Sequence, residues 1–448
     1  MKNRLDQDFT LGGLLRFALP TTIMMLVTSL YTIVDGVLTS RLVGENALAA
    51  INIAYPAISI VLAAGIMLGT GGSAVVSHRM GTGDLEGARR TFSFLAVISV
   101  CVGAVFSLLG LWGAEPLARL LGASDLLLTD TVRYLRILLL FAPMSMLQLL
   151  FESFFVAAGR PGLGLGLTIA AGVTNGVLDW LYMGPLSMGI RGAAVATVTG
   201  YCIPAVCGVL FFLLRRDGLR FARPRADWRL LGRACFNGSS EMVTNLSTAV
   251  TTFFFNAIMM ELLGEPGVAA ITIVLYAQFL LVALFLGFSM GVAPVFSFNQ
   301  GAERYDRLRA TFLHCVRFIL CASVAILAAA LLLAPVIVGV FSPAGTLVNA
   351  LALDGFRRFS PTFLFAGVNI FASALFTALS DGRTSALISF ARTFGFLMAG
   401  LLLLPRIIGV PGVWLAVPVA EGLSCLLSIG FLRRYRAKFG WSGPVRKP

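Results

Sequence analysis

The sequence predicts an all-α integral membrane protein with twelve transmembrane helices in two parallel six-helix repeats. Three observations support this fold class. Hydrophobic residues make up 58% of the 448-residue chain and charged residues 12%, a composition that soluble globular chains of this length do not approach. Apolar stretches long enough to cross a bilayer recur from end to end. Segments of the first half also reappear in the second.

Twelve apolar stretches are candidate transmembrane spans, which we number 1 to 12 in chain order. They cover approximately residues 14–40, 47–77, 92–113, 134–157, 163–183, 192–214, 236–263, 268–298, 311–333, 358–379, 385–404 and 412–432. Six fall in each half of the chain. Because six is even, both halves enter the membrane in the same direction, so the repeat is parallel and not inverted.

An internal repeat with a shift of about 220 residues relates the two halves. The segment GENALAAI at 44–51 returns as GEPGVAAI at 264–271, and single identities recur at the same shift, among them Gly71 with Gly291, Gly81 with Gly301, and Gly189 with Gly409. In a membrane protein, duplicated halves indicate a transporter with its substrate site between the repeats. We therefore divide the chain into a first lobe at 1–214, a basic linker at 215–234 and a second lobe at 235–448.

The net charge of +13 is explained by membrane topology and not by nucleic-acid binding. With a cytoplasmic N-terminus, about 26 lysines and arginines lie in inner segments, the linker included, and about 8 in outer ones, as the positive-inside rule requires. We expect a multi-pass protein of the cell's inner (plasma) membrane, with both termini in the cytoplasm. Its expected partners are the lipid bilayer and small organic cations, with no nucleic acid.

Acidic residues inside apolar spans are costly and usually functional. Asp35 lies well inside span 1, and Asp179 of span 5 shares a helix face with Asn175, four residues earlier. At 1.5 Å per residue, Asp35 and Asp179 lie about 30 and about 24 Å from the inner ends of their spans, and Thr197 of span 6 can reach the same level. Two carboxylates, an amide and a hydroxyl predict a site for a proton or a small hard cation. The alternative is that Asp179 is solvated near the interface.

The second lobe does not repeat these acids. Glu241 corresponds to Thr21 in the first lobe, and no basic residue is evident at its depth in span 7. It is a candidate to bind a cationic substrate or a coupling ion, or else is wetted by the inner vestibule. Met24 and Met259 are candidates for an adaptable binding cavity, although methionines in spans are usually packing residues.

Two further residues in spans have predicted roles. Pro20 removes a backbone hydrogen bond from span 1 and is a candidate bending point for gating. Arg392 of span 11 is expected to extend its charged end to the membrane interface.

Together these features resemble the MATE (multidrug and toxic compound extrusion) family, within a larger group that includes polysaccharide and lipid-precursor flippases. The resemblance covers nearly the whole chain. It is carried by Pro20 with Asp35, segment 44–51 with its copy, Asn175-x-x-Leu178-Asp179, Gly192-Ala193-Ala194-x-Ala196-Thr197, Gly238-Ser239-Ser240-Glu241 with Phe255-Asn256, and Asn299-Gln300-Gly301.

The resemblance implies two six-helix bundles that form a V-shaped pair of lobes around a central cavity, and export driven by inward Na⁺ or H⁺. It places the family's first-lobe cation site on the set Asp35, Asn175, Asp179 and Thr197, and the family's span 7 glutamate on Glu241. Some members carry an acid in span 10. Here the nearest, Asp354, precedes that span, so the resemblance does not supply a complete second ion site.

The expected function is secondary active efflux of amphipathic, mostly cationic compounds in exchange for Na⁺ or H⁺, by alternating access in a monomer. No cofactor is expected, and no metal beyond Na⁺ at the coupling site. A flippase for lipid-linked precursors would need a more cationic cavity, whereas the deep candidates here are acids. An integral-membrane enzyme would need a catalytic cluster beside the spans, and none accompanies them, so we expect no enzyme.

The predicted topology can be tested by cysteine labelling in a background without the native cysteines. A cysteine at Arg225 in the linker should not react with a membrane-impermeant maleimide in intact cells, because the positive-inside bias keeps the linker in the cytoplasm. It should react once the cells are permeabilised. A cysteine at Ser187, between spans 5 and 6, is the control and should react in intact cells. The reverse pattern would show an inverted orientation.

Overall fold

The computed structural model describes residues 5–436, which are helical almost throughout and contain no strand. The first half comprises the helices Leu11–Leu42, Glu45–Gly81, Leu85–Leu120, Asp125–Leu140, Ala142–Ala157, Pro161–Met183 and Ile190–Leu214. The second half comprises Trp228–Gly301, Tyr305–Leu332, Ala334–Phe341, Leu347–Phe359, Thr362–Ala378, Gly382–Phe390, a π-helical segment Ala391–Leu397, Met398–Ile408 and Val410–Arg434.

These helices supply the twelve predicted spans. Within residues 5–436, nine stretches are individually long and apolar enough to cross a membrane, and two pairs of helices, bent by 55° and 54°, supply spans 4 and 10. The helix Trp228–Gly301 has 74 residues and is interrupted at Gly264, where φ is 66° and ψ is −155°. It therefore provides both span 7 and span 8. The all-helical fold with twelve spans in two lobes that form a V is confirmed.

The bent spans 4 and 10 begin earlier than predicted. Span 4 starts at Asp125 and not near 134, and span 10 starts at Leu347 and not near 358. The added segments carry several charged side chains, which lower their mean hydropathy and hide them from a search for apolar runs. A proline lies at each bend, Pro143 in span 4 and Pro361 in span 10. Proline removes a backbone donor and so favours a bend there.

The linker packs against the first lobe. The ring of Phe221 lies 4.9 Å from that of Phe92 and stacks on it. The Phe221 N–H donates to the Phe212 carbonyl oxygen at 3.2 Å, and the Ala222 N–H donates to Ser93 Oγ at 2.8 Å. The span 7 helix begins at Trp228, so the last residues of the predicted linker 215–234 are already helical.

The two lobes contact each other backbone to backbone at one end of the V. We call it the linker end, because span 1 begins there and the linker crosses there. A Cβ atom on Gly71 of span 2 would lie 2.0 Å from the Ala234 carbonyl oxygen of span 7, and one on Gly238 would lie 2.1 Å from that of Met67. Only glycine permits helices to approach so closely.

The contact between spans 2 and 8 follows the repeat. A Cβ on Gly81 would lie 2.1 Å from the Phe298 carbonyl oxygen, and one on Gly301 would lie 2.1 Å from the carbonyl oxygen of His78. His78 and Phe298 occupy equivalent positions in the two copies, as Gly81 and Gly301 do. The lobes are therefore related by an approximate two-fold axis between these two helices.

The N-terminal segment adds charged contacts at the same end. Asp6 forms ion pairs with Arg304 and Arg307 at the start of span 9, and Asp8 also pairs with Arg307. These residues are partly or largely exposed, so each pair contributes only about 0–1 kcal/mol. The ion pairs nevertheless join the two lobes where the glycines bring them together.

Adding a methyl group at this contact should separate the lobes. In Gly81→Ala and Gly301→Ala, the new Cβ would overlap a carbonyl oxygen of the other lobe, so we expect a longer distance between spin labels attached at Arg90 and Ala310 near the linker end. Gly113→Ala is the control, because a Cβ at Gly113 has no neighbouring atom within 4 Å. Double electron–electron resonance measures the distance. Unchanged distances in both variants would contradict the proposed role of this contact.

Candidate functional site

The two acids predicted in the first lobe lie side by side. Asp35 lies in the half of span 1 remote from the linker end, Asp179 in the same half of span 5, and their carboxyl groups face each other. The Asn175 amide, one turn before Asp179, faces the carboxyl of Asp179. Asp179 and Asn175 are buried, and Asp35 is half-buried. The shared helix face and the matched depths expected from the sequence thus bring these three side chains together.

Thr197 joins this group through a tyrosine. The Tyr134 hydroxyl of span 4 faces the Thr197 hydroxyl and lies near both carboxyl groups. Thr197 also donates a hydrogen bond to the Ala193 carbonyl oxygen at 2.9 Å. Tyr201, one turn farther along span 6, faces Asp35. Four spans of the first lobe, 1, 4, 5 and 6, therefore contribute to one polar cluster, which we call the first-lobe site.

Three buried oxygens of this site, Oδ1 of Asp35 and both carboxylate oxygens of Asp179, have no hydrogen-bond partner among residues 5–436. Buried charges without partners are costly. The side chains present supply only oxygen donors: two carboxylates, an amide and hydroxyls. Such a set fits a proton shared by the carboxyl groups or a hard cation such as Na⁺. Across the described residues, no group of three or more His, Cys, Asp or Glu side chains could hold a metal ion.

The sequence does not single out Tyr31, Tyr134 or Tyr201. Tyr31 lies near Tyr201, Glu152 and Asp35. Two of these tyrosines could have been found by helix periodicity, because Tyr31 precedes Asp35 by one turn and Tyr201 follows Thr197 by one turn. Tyr134 has no such relation, because it comes from the bent span 4.

The second lobe contains a buried ion pair. Nη2 and Nε of Arg392 lie 2.6 and 2.7 Å from Oε1 of Glu421. Asn369 Nδ2 donates to Oε2 of Glu421 at 2.7 Å, and Ser428 Oγ donates to Oδ1 of Asn369 at 2.9 Å. The Glu421 carboxylate is therefore fully paired, unlike the carboxylates of Asp35 and Asp179.

The expectation that Arg392 extends to the membrane interface is wrong. Its side chain is 15% exposed and points to Glu421 inside the lobe. Arg392 is the second residue of the π-helical segment Ala391–Leu397, and a π-helical turn changes side-chain directions relative to a regular α-helix. Such segments occur often at functional sites.

Glu241 also faces this arginine. It lies on span 7, is half-buried, and its carboxyl group interacts electrostatically with the Arg392 guanidinium. The positively charged partner of Glu241 thus lies on span 11, so a search for basic residues in span 7 alone could not identify it. Glu241, Arg392 and Glu421 together have a formal charge of −1, so this second-lobe cluster still favours a cation.

The remaining predicted residues lie in packed regions. Pro20 is inside the unbroken helix Leu11–Leu42, next to Thr21 and Thr22, whose backbones contact Gly287 of span 8. Met24 and Met259 are 1% and 0% exposed. Both methionines fill space between helices in this conformation, which favours a packing role over contact with a ligand.

Comparison with protein families gives a match along most of the chain. The family model MatE matches residues 20–181 and 242–400. These ranges begin at Pro20, include Asp35, Asp179 and Arg392, and leave out the linker.

Individual relatives are distant but span the whole chain. The Multidrug export protein MepA of Staphylococcus saprophyticus is 21% identical over 442 residues, 95% of this chain and 94% of MepA. A crystal structure of MATE in complex with MaL6 has a TM-score of 0.93 at 21% identity, and covers 99% of this chain and 100% of that one. An outward-facing conformation of a multidrug resistance MATE family transporter has a TM-score of 0.92 at 21% identity, with 99% of both chains covered. The fold is shared along its full length.

Proposed function

The chain belongs to the MatE family, and from this premise we propose that it is a secondary active efflux transporter. It exports amphipathic, mostly cationic compounds in exchange for Na⁺ or H⁺ by alternating access. The observation that carries the proposal is the first-lobe site, in which Asp35 and Asp179 face each other without a cationic partner among residues 5–436. The relatives named for multidrug export support efflux of varied compounds.

The first-lobe site supports ion coupling. Two carboxylates at close range in a medium of low dielectric repel each other when both are ionised. Uptake of one proton or one Na⁺ relieves this repulsion and satisfies oxygens that otherwise lack partners. An ion can drive a conformational change only if it binds one state more tightly than the other. Asp35, Asp179 and Tyr134 come from three different spans, so a relative movement of these helices would change ion affinity.

The closed linker end supports a direction of transport. With the linker in the cytoplasm, as the charge distribution predicts, the contacts at Gly71 and Gly81 close the cytoplasmic side. The opening of the V then faces outward. In this state the first-lobe site takes up the ion from outside, and the cargo leaves. We propose that the chain does this as a monomer in the plasma membrane, without a cofactor.

Glu241 supports cationic cargo. Since Glu421 is satisfied by Arg392 and Asn369, the excess negative charge of the second-lobe cluster resides on Glu241. A half-buried carboxylate with excess charge attracts an organic cation whose apolar part is removed from water.

Replacement of the first-lobe carboxylates by amides should uncouple transport. Asp35→Asn and Asp179→Asn keep the shape but remove the charge. Coupling free energies of about 1–3 kcal/mol correspond to 5–150-fold effects, so we expect a loss on the order of 10-fold or more. Uptake of a fluorescent organic cation into inverted vesicles, with Na⁺ and H⁺ gradients imposed separately, measures the loss and identifies the ion.

Asp130→Asn is the matched control, because Asp130 is a partly exposed acid of the same lobe, paired with Arg133. It should transport like the parent. Full gradient-driven uptake by both Asp35→Asn and Asp179→Asn would remove the first-lobe site from the mechanism.

Neutralisation of Glu241 should discriminate between cargoes. Glu241→Gln should weaken export of tetraphenylphosphonium on the order of 10-fold, about 1.4 kcal/mol, and change export of a neutral compound of similar size much less. Glu261→Gln, an exposed acid near the end of the same span, is the control. If Glu241→Gln exported each of the two compounds as well as the parent does, Glu241 would not select cargo by its charge.

A further inference from the structure

The linker forms one wall of an apolar groove on the outside of the first lobe. The groove has a volume of about 320 Å³ and lies between span 3 at 93–101, Leu147 of span 4, Val209 of span 6, and Phe221, Ala222 and Pro224 of the linker. This volume is at the lower end of the range of ligand pockets, about 300–1,000 Å³. The lining is almost entirely apolar, so the groove fits a hydrocarbon chain.

The groove is preformed. The Phe221 ring is stacked on Phe92 and has edge contacts with the rings of Phe151 and Phe212, which fix the linker wall. Its one hydroxyl side chain, Ser93, accepts the Ala222 N–H at 2.8 Å and donates to the Arg89 carbonyl oxygen at 3.0 Å. The Ser93 hydroxyl is thus already hydrogen-bonded within the protein, and the Cys101 thiol that also lines the groove is only a weak donor.

The groove opens sideways to the membrane in the half nearer the linker end. Val97 and Val100 of span 3 are 46% and 41% exposed. At 1.5 Å per residue, Val97 lies about 18 Å from the start of span 3 and Val209 about 8 Å from the end of span 6. Trp228 marks the level of the interface. It is 68% exposed and packs edge-on against Phe94 at 5.7 Å, as aromatic residues at membrane surfaces do.

Unpaired arginines border the groove. Arg220, Arg223 and Arg225 are exposed, flank the lining residues Phe221 and Pro224, and have no ion-pair partner in the described part of the chain. The two acids of the linker do not compensate for them. Asp217 interacts with Arg215, and Asp227 caps the span 7 helix by accepting the Leu230 N–H at 3.0 Å.

We propose that this groove binds an anionic phospholipid of the leaflet at the linker end. One acyl chain lies between span 3 and the linker, and the phosphate is held by Arg223 and Arg225. The apolar walls provide the affinity for the chain, and the unpaired arginines select a negatively charged headgroup. The site is separate from Asp35, Asp179 and Glu241, so it does not depend on the proposed transport function.

Native mass spectrometry of the purified full-length protein, titrated with dioleoyl phosphatidylglycerol or dioleoyl phosphatidylcholine, tests this site. We expect the anionic lipid to bind more tightly to the parent. The double variant Arg223→Ala/Arg225→Ala should lose roughly 10- to 30-fold in affinity for phosphatidylglycerol, the effect of removing two arginines near a membrane surface. Arg433→Ala/Arg434→Ala is the charge-matched control, because both are exposed at the end of span 12, and it should keep the affinity.

A second pair of variants tests the groove itself. Val97→Trp fills the groove from an exposed position, and Val105→Trp places the same side chain on the same helix outside it. Only Val97→Trp should reduce phosphatidylglycerol binding. The proposal would be overturned if the parent bound the two lipids equally. It would also be overturned if both double arginine variants lost the same affinity for phosphatidylglycerol, or if both tryptophan variants reduced its binding equally. Thermal unfolding of every variant confirms that it is folded.

Discussion

The arrangement of this molecule depends on the close contact of two lobes at the linker end. Gly71, Gly81, Gly238 and Gly301 each bring one backbone to a distance from the other at which no Cβ fits. In a bilayer, such contact is a principal source of helix association, because lipid tails provide no hydrophobic force between helices. It makes the linker end the apex of the V and leaves the polar sites in the lobes above it. Gly81 and Gly301 are equivalent positions of the repeat, so at this point one duplicated sequence supplies the glycines of both lobes.

The duplicated lobes differ in their charges, and this difference gives each its chemistry. The first lobe places the carboxylates of Asp35 and Asp179 together, and in the described part of the chain neither has a cationic partner. The second places Arg392 between Glu421 and Glu241. Removing a buried charge from such a pair typically costs about 3–5 kcal/mol, since its partner remains unpaired. The carboxylates of the second lobe thus have a guanidinium of the chain as partner, whereas the proposed first-lobe site would need a proton or cation from outside, which supports our proposal of one coupling site per chain.

Composition and repeats predicted the fold because a span in a bilayer must form its backbone hydrogen bonds within itself. An apolar stretch of sufficient length therefore already indicates a transmembrane helix. The meeting of Asp35 and Asp179 was also predictable, since rise per residue converts sequence position to depth. The second-lobe pair was not. The direction of Arg392 depends on a π-helical turn, and no feature of Ala391–Leu397 distinguishes it from regular helix in the sequence. Tyr134 lies at the edge of the apolar stretch predicted as span 4, but no spacing in the sequence relates it to Asp35 or Asp179, because their contact depends on how span 4 packs against the other spans.

Span 1 connects the closure of the lobes to the ion site. Near the linker end its residues Ala18 and Thr21 pack against Gly291 of span 8, and Pro20 lies between them. Asp35 is about four turns farther along the same unbroken helix. A helix of this length transmits rotation at one end to the other, and a proline weakens it beside the contact. Separation of the lobes would therefore move Asp35 relative to Asp179 on span 5. This geometry supports reciprocal linkage, in which ion binding favours one arrangement of the lobes and that arrangement sets the affinity for the ion.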